Sequence, residues 1–233
     1  MLDSFYNNKN KNILIGTGVF LLYLIVTLFK GYPLHLLGIE NLSENVALLY
    51  SLFVSLLLVA IIIFIYRDKL KLSIRDLKLN HKTYFAKYLK YWLFALFLMS
   101  LTNLIIINFS PNDLPTNEEA IRNLFSVSPI IVFISAVLIA PVLEELVFRQ
   151  SFRNIFKDDM LFIVMSSFIF GSFHVVGSFT ELIDFIYIIP YSIPAIAFAL
   201  MLKETDNILV PMGFHFLHNG VLIALQFLLL ILG

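Results

Sequence analysis

The chain has 233 residues, of which 60% are apolar and 14% charged, against about 45–50% and about 25% in a soluble domain, and its mean hydropathy is +0.90. A soluble chain of this size cannot enclose that much apolar surface, so the composition excludes an ordinary soluble enzyme and a disordered chain. Sixteen basic and sixteen acidic residues cancel and there is no cysteine, which leaves no net field to attract a nucleic acid, no disulfide and no thiolate nucleophile or metal ligand. The class that remains is an all-α, polytopic membrane protein.

A span needs about 20 apolar residues, and in chain order seven runs qualify: 12–29, 45–66, 84–108, 129–148, 160–177, 182–202 and 208–232. They lack strand alternation and predict helices. The first follows Lys9 and Lys11 but is long and has no small-residue cleavage site, so it reads as an uncleaved anchor. The second and third flank the charged stretch 67–82, read as an amphipathic interfacial segment whose charges set topology. The fourth carries Pro141, which is expected to free the carbonyl of Val137 and bend the helix. A short turn at Lys157 and Asp158 makes the fourth and fifth runs antiparallel neighbours. The sixth carries Pro190 and Pro194 at i,i+4, which predicts a kinked span, with a re-entrant segment as the other reading. Asp206 or Asn207 is expected to cap the seventh. Residues 1–128 are read as N-terminal helices with a basic loop, and 129–233 as the catalytic helical core of the same membrane domain.

All Lys and Arg except Lys30 and Arg122 fall on one side of these spans, while Glu40, Glu44, Asp113, Glu118, Glu119, Glu181 and Asp184 gather on the other. The positive-inside rule then predicts a multi-pass cell-membrane protein with its N-terminus in the cytoplasm and its C-terminus outside. Tyr66, Tyr84, Tyr88, Tyr91 and Trp92 are expected as an aromatic belt at the inner boundary.

A few polar residues sit inside the apolar part. Glu144 and Glu145 lie late in the fourth run, at a cost of about 5–7 kcal/mol for two uncompensated acids. Glu145 can pair with Arg149 at i,i+4. Adjacent helical positions point about 100° apart, so Glu144 is expected to face elsewhere in a separate role. His174 on the fifth run comes within about 6 Å of the height of Glu144. Ser167 and Gly171 offer a small-residue stripe for close helix approach. On the last run His215 and Asn219 share one face, with His218 one residue off it.

A carboxylate with an imidazole beside it is a general-base pair for activating water, and an imidazole with an amide can donate to a developing oxyanion. These parts suit amide hydrolysis. Glu144, His174 and His215 could equally hold a divalent metal such as zinc, with a position open for water, and spacing alone leaves both schemes standing. There is no His-Glu-x-x-His helix, no Ser-His-Asp arrangement and no intramembrane Asp pair.

At these residues the sequence resembles the CAAX protease and bacteriocin-processing (Abi) family of intramembrane endopeptidases. The motifs are Glu144-Glu145-x-x-x-Arg149, Phe170-x-x-x-His174 and His215-x-x-x-Asn219, the last preceded by the stretch from Thr205 to Pro211. The resemblance runs from about residue 129 to the C-terminus and departs at Gln150, where the family often has Gly. It implies a cavity open toward the cytoplasmic side, with Glu144 and His174 activating water, His215 and Asn219 holding the oxyanion, and Glu145 and Arg149 ordering the site. The family has been described both as metal-dependent and as glutamate proteases. Its substrates are prenylated CAAX tails, bacteriocin leaders and pheromone precursors, so the expected partners are the bilayer and a peptide or protein, with no nucleic acid. The competing functions are a non-catalytic regulator or immunity protein that keeps the fold, docking through the basic segment 67–90, and a small-molecule or proton-coupled transporter.

Overall fold

In a computed structural model, which describes residues 2–39, 41–108, 116–176 and 182–232, the chain is helical and no strand occurs among those residues. Glu40, Asp113 and Glu181, expected on the face opposite the basic turns, lie outside the described residues. Helices α1 (Leu2–Phe29), α2 (Tyr32–Leu36) and α3 (Glu44–Ile107) are followed by the short α4 (Thr116–Val127). The segment 129–155 is one rod built from α5 (Pro129–Phe133), α6 (Ala140–Glu144) and α7 (Ser151–Ile155), joined by π-helical stretches at Ile134–Ile139 and Glu145–Gln150. Next come α8 (Asp159–Val176), a 3-10 stretch (Leu182–Tyr187), α9 (Ile188–Thr205) and α10 (Leu209–Leu232). Among the described residues six of these helical segments are long and apolar enough to cross a membrane.

The count differs from seven because the second and third apolar runs belong to one helix. The 64 residues of α3 contain no glycine or proline, so nothing local ends the helix between the runs. Its path still reverses. Tyr66 shares a core cluster with Phe162, and Ile106 shares another with Val175. On α8 those two partners are separated by about 20 Å, whereas a straight helix from Tyr66 to Ile106 would extend about 60 Å. The charged stretch 67–82 is the middle of this bent helix and grips the α9–α10 turn. Lys69 Nζ lies 2.8 Å from Asp206 Oδ1. Asn207 Nδ2 donates to Asp76 Oδ2 at 2.6 Å and to the Ser73 carbonyl at 2.9 Å.

The expected aromatic belt is largely an internal seam. Tyr66, Tyr88 and Trp92 are buried, and the Tyr66 hydroxyl meets Ser151 Oγ at 2.8 Å while Tyr88 donates to Glu204 at 3.1 Å. The two tyrosine hydroxyls find protein partners, so these rings face helices rather than headgroups.

Helix ends follow local chemistry. Asp158 Oδ1 accepts the Leu161 N–H at 2.8 Å and starts α8. Asp206 closes α9 in the left-handed region at φ 47°, and Asn207 Oδ1 accepts the Leu209 N–H at 3.0 Å, which makes Asn207 the cap of α10. Pro190 falls in the first turn of α9, where its missing N–H costs nothing, and the helix continues through Pro194. The Ser167–Gly171 stripe seats α9: a Cβ on Gly171 would stand 2.7 Å from the Ile188 carbonyl, and Ser192 Oγ donates to the Ser167 carbonyl at 3.2 Å.

Candidate active site

The rod 129–155 sets the site, and its winding explains why. In the first π stretch the Ala140 N–H reaches the Ser135 carbonyl, five residues back. In the same register the next residue, Pro141, faces the carbonyl of Ala136 and has no N–H to give it. Asn219 Nδ2 supplies the bond at 2.8 Å. The carbonyl freed by Pro141 is therefore that of Ala136 and not Val137, because the turn is π rather than α. One N–H of Asn219 is spent on this bond.

Glu144 ends α6 and Glu145 opens the second π stretch. The two acids do not take separate partners as the α-helical angle suggested. Both address His215 on α10: Nδ1–H donates to Glu145 Oε1 at 2.9 Å, and Nε2 stands 3.6 Å from Glu144 Oε2. Glu145 and Arg149 form the expected i,i+4 pair, with Nε 3.5 Å from Oε2 and both side chains fully buried. The Arg149 guanidinium also lies over the Phe170 ring at 4.2 Å, and its N–H groups find no hydrogen-bond acceptor among the described residues. Charge and ring contacts, rather than hydrogen bonds, hold it.

His174 lies on α8. Its Nδ1 meets the Phe170 carbonyl at 3.0 Å, so Nδ1 carries the proton and Nε2 keeps its lone pair. Tyr191 stacks on the His174 ring at 4.7 Å and Phe198 on His215 at 5.0 Å. Glu144, His174, His215 and Asn219 all line one cavity of about 730 Å³. Glu145 and Arg149 stand behind it, outside the lining.

Residues not singled out from sequence also line this cavity. Tyr23 of α1 packs on Phe148 and Phe173 at 5.4 and 5.8 Å, and His218 is buried in the wall. Tyr23 and Tyr191 carried no signal, being aromatic residues in apolar runs, whereas His218 was visible as a third imidazole.

The lining leads from Glu144 toward Asn103, Arg122 and Gln226 and includes no residue of the basic turns at 156–158 and 206–208. Glu144, His174 and His215 share the cavity, but among the described residues no three His, Asp or Glu side chains are grouped closely enough to hold a metal ion. His215 holds Glu145 through Nδ1 and leaves Nε2 directed at Glu144, 3.6 Å away.

No curated protein and no solved structure matches the chain. A family model does. Residues 126–221 match the type II CAAX prenyl endopeptidases, Rce1-like, and this stretch holds Glu144, Glu145, Arg149, His174, His215 and Asn219. The segment that carries these six residues is thus similar to the Rce1-like CAAX endopeptidases, a family of intramembrane proteases.

Proposed function

We propose that the chain is an intramembrane endopeptidase in which Glu144 and His174 activate a water and His215 and Asn219 receive the oxyanion. The convergence of these four side chains on one cavity, with a buried Glu145–Arg149 pair behind them, carries the reading. Water bound between the Glu144 carboxylate and His174 Nε2 loses a proton to Glu144 as its oxygen attacks the scissile carbonyl carbon. The carbonyl oxygen becomes an oxyanion. It accepts the second N–H of Asn219 and, from His215 protonated on both nitrogens, the Nε2–H. Glu145 orients His215 through Nδ1 and offsets its charge, as the acid of a hydrolytic triad does. Collapse of the tetrahedral intermediate breaks the C–N bond, and Glu144 returns its proton to the leaving amine.

The substrate is a membrane-associated peptide: a prenylated CAAX tail, a bacteriocin leader or a pheromone precursor. A gene for such a precursor beside this one would name the class. Wild-type protein in proteoliposomes cleaves such a peptide, and Glu144→Ala and His174→Ala abolish cleavage at equal protein level. Equal cleavage by the variants would sink the assigned site, and activity after exhaustive chelation separates a metal-dependent enzyme from a glutamate-type one.

A further inference from the structure

Beyond Asn219 the cavity contains a second set of polar atoms that the hydrolytic residues do not use. Asn103 on α3 and Gln226 on α10 both line it. Asn103 Oδ1 and Gln226 Oε1 are shielded from solvent and accept no hydrogen bond among the described residues. The wall around them is mainly apolar, with Leu104, Ile107, Ile121 and Leu222, and Ser100 and Arg122 are the other polar side chains at this end. An unpaired acceptor in such surroundings is unfavourable, and hydrocarbon outside offers no donor. Rotating either amide exchanges its acceptor for a donor, and a peptide backbone offers both.

We infer that Asn103 and Gln226 form a backbone-reading subsite that binds one extended arm of the peptide substrate. The inference rests on the protease reading and adds where the peptide lies. Gln226 follows Asn219 by about 10 Å along α10. An extended peptide rises about 3.3 Å per residue, so Gln226 meets substrate backbone about three residues from the bond that breaks. The apolar wall between them receives the side chains of that arm, in the usual pattern of an apolar pocket with a few placed polar groups.

The test uses the full chain in proteoliposomes, with Asn103→Leu and Gln226→Leu. The probes are a farnesylated peptide ending in a CAAX sequence and a degenerate decapeptide library read by mass spectrometry. Each variant raises KM about tenfold and changes kcat far less, as loss of a ground-state hydrogen bond should. Methylating the substrate amides one at a time finds a position that costs the wild type the same factor and costs the matching variant nothing more. Unchanged KM in both variants, with cleavage intact, overturns the subsite and leaves the protease reading standing. Binding of the labelled peptides to Glu144→Ala protein supplies a readout free of catalysis. Binding that weakens in the leucine variants, with no cleavage by the wild type, keeps the subsite and removes the protease. Peptides neither bound nor cut overturn both. If the leucine variants do not accumulate, Asn103→Ser and Gln226→Ser remove the reach of each amide and are read in the same way.

Discussion

At the scale of single residues, Glu144 and Glu145 separate into two kinds of acid. Glu144 keeps 18% of its side chain exposed, whereas that of Glu145 is fully buried between Arg149 and His215. Glu144→Gln is therefore expected to remove cleavage and leave the thermal midpoint in detergent near the wild-type value. Glu145→Ala strands a buried guanidinium and is expected to lower stability by about 3–5 kcal/mol, read from the same melting experiment. Equal midpoints for the two variants would show that the buried pair does not hold the site together. These two acids were legible in the sequence because a charge inside an apolar run has few explanations. Tyr23, Tyr191, Asn103 and Gln226 were not, since an aromatic or amide in such a run has many.

At the scale of elements, the π turns decide what the rod presents. Sequence reading placed the helix and its proline but assumed α winding, because a π turn alters hydrogen-bond register without a distinctive residue pattern. The register separates two duties of Asn219. Asn219→Leu frees the Ala136 carbonyl and is expected to cost about 1–3 kcal/mol of stability as well as activity. Adding Pro141→Ala restores an N–H opposite Ala136, so the double variant regains thermal stability but not cleavage. Recovery of both would assign Asn219 to the rod alone. The α8–α9 seam makes its own prediction. Gly171→Ala drives a methyl to within 2.7 Å of the Ile188 carbonyl and is expected to destabilise by about 1–3 kcal/mol. Gly220→Ala, whose nearest contact would be Val137 at 3.7 Å, serves as the near-neutral control in the same melts.

At the scale of the molecule, the apolar runs located the long helices, but not that two of the runs share one helix. Helix prediction from breakers had no breaker to find between Glu44 and Ile107. The absence of cysteine allows a direct check of the path with single replacements and an impermeant maleimide. Glu44→Cys and Asn108→Cys are expected to label from one side, and Lys78→Cys from the other. The side on which Lys78→Cys labels also decides whether the basic face is cytoplasmic. The bent helix has a mechanical consequence. One arm, from Met99 to Ile107, walls the cavity, the other packs with α1 and α8 through Leu58 and Ile62, and the middle is fastened to the α9–α10 turn at Asp76. No loop serves as a hinge between the arms. A displacement of the cavity arm is therefore carried into the other arm through continuous helix, as in a leaf spring.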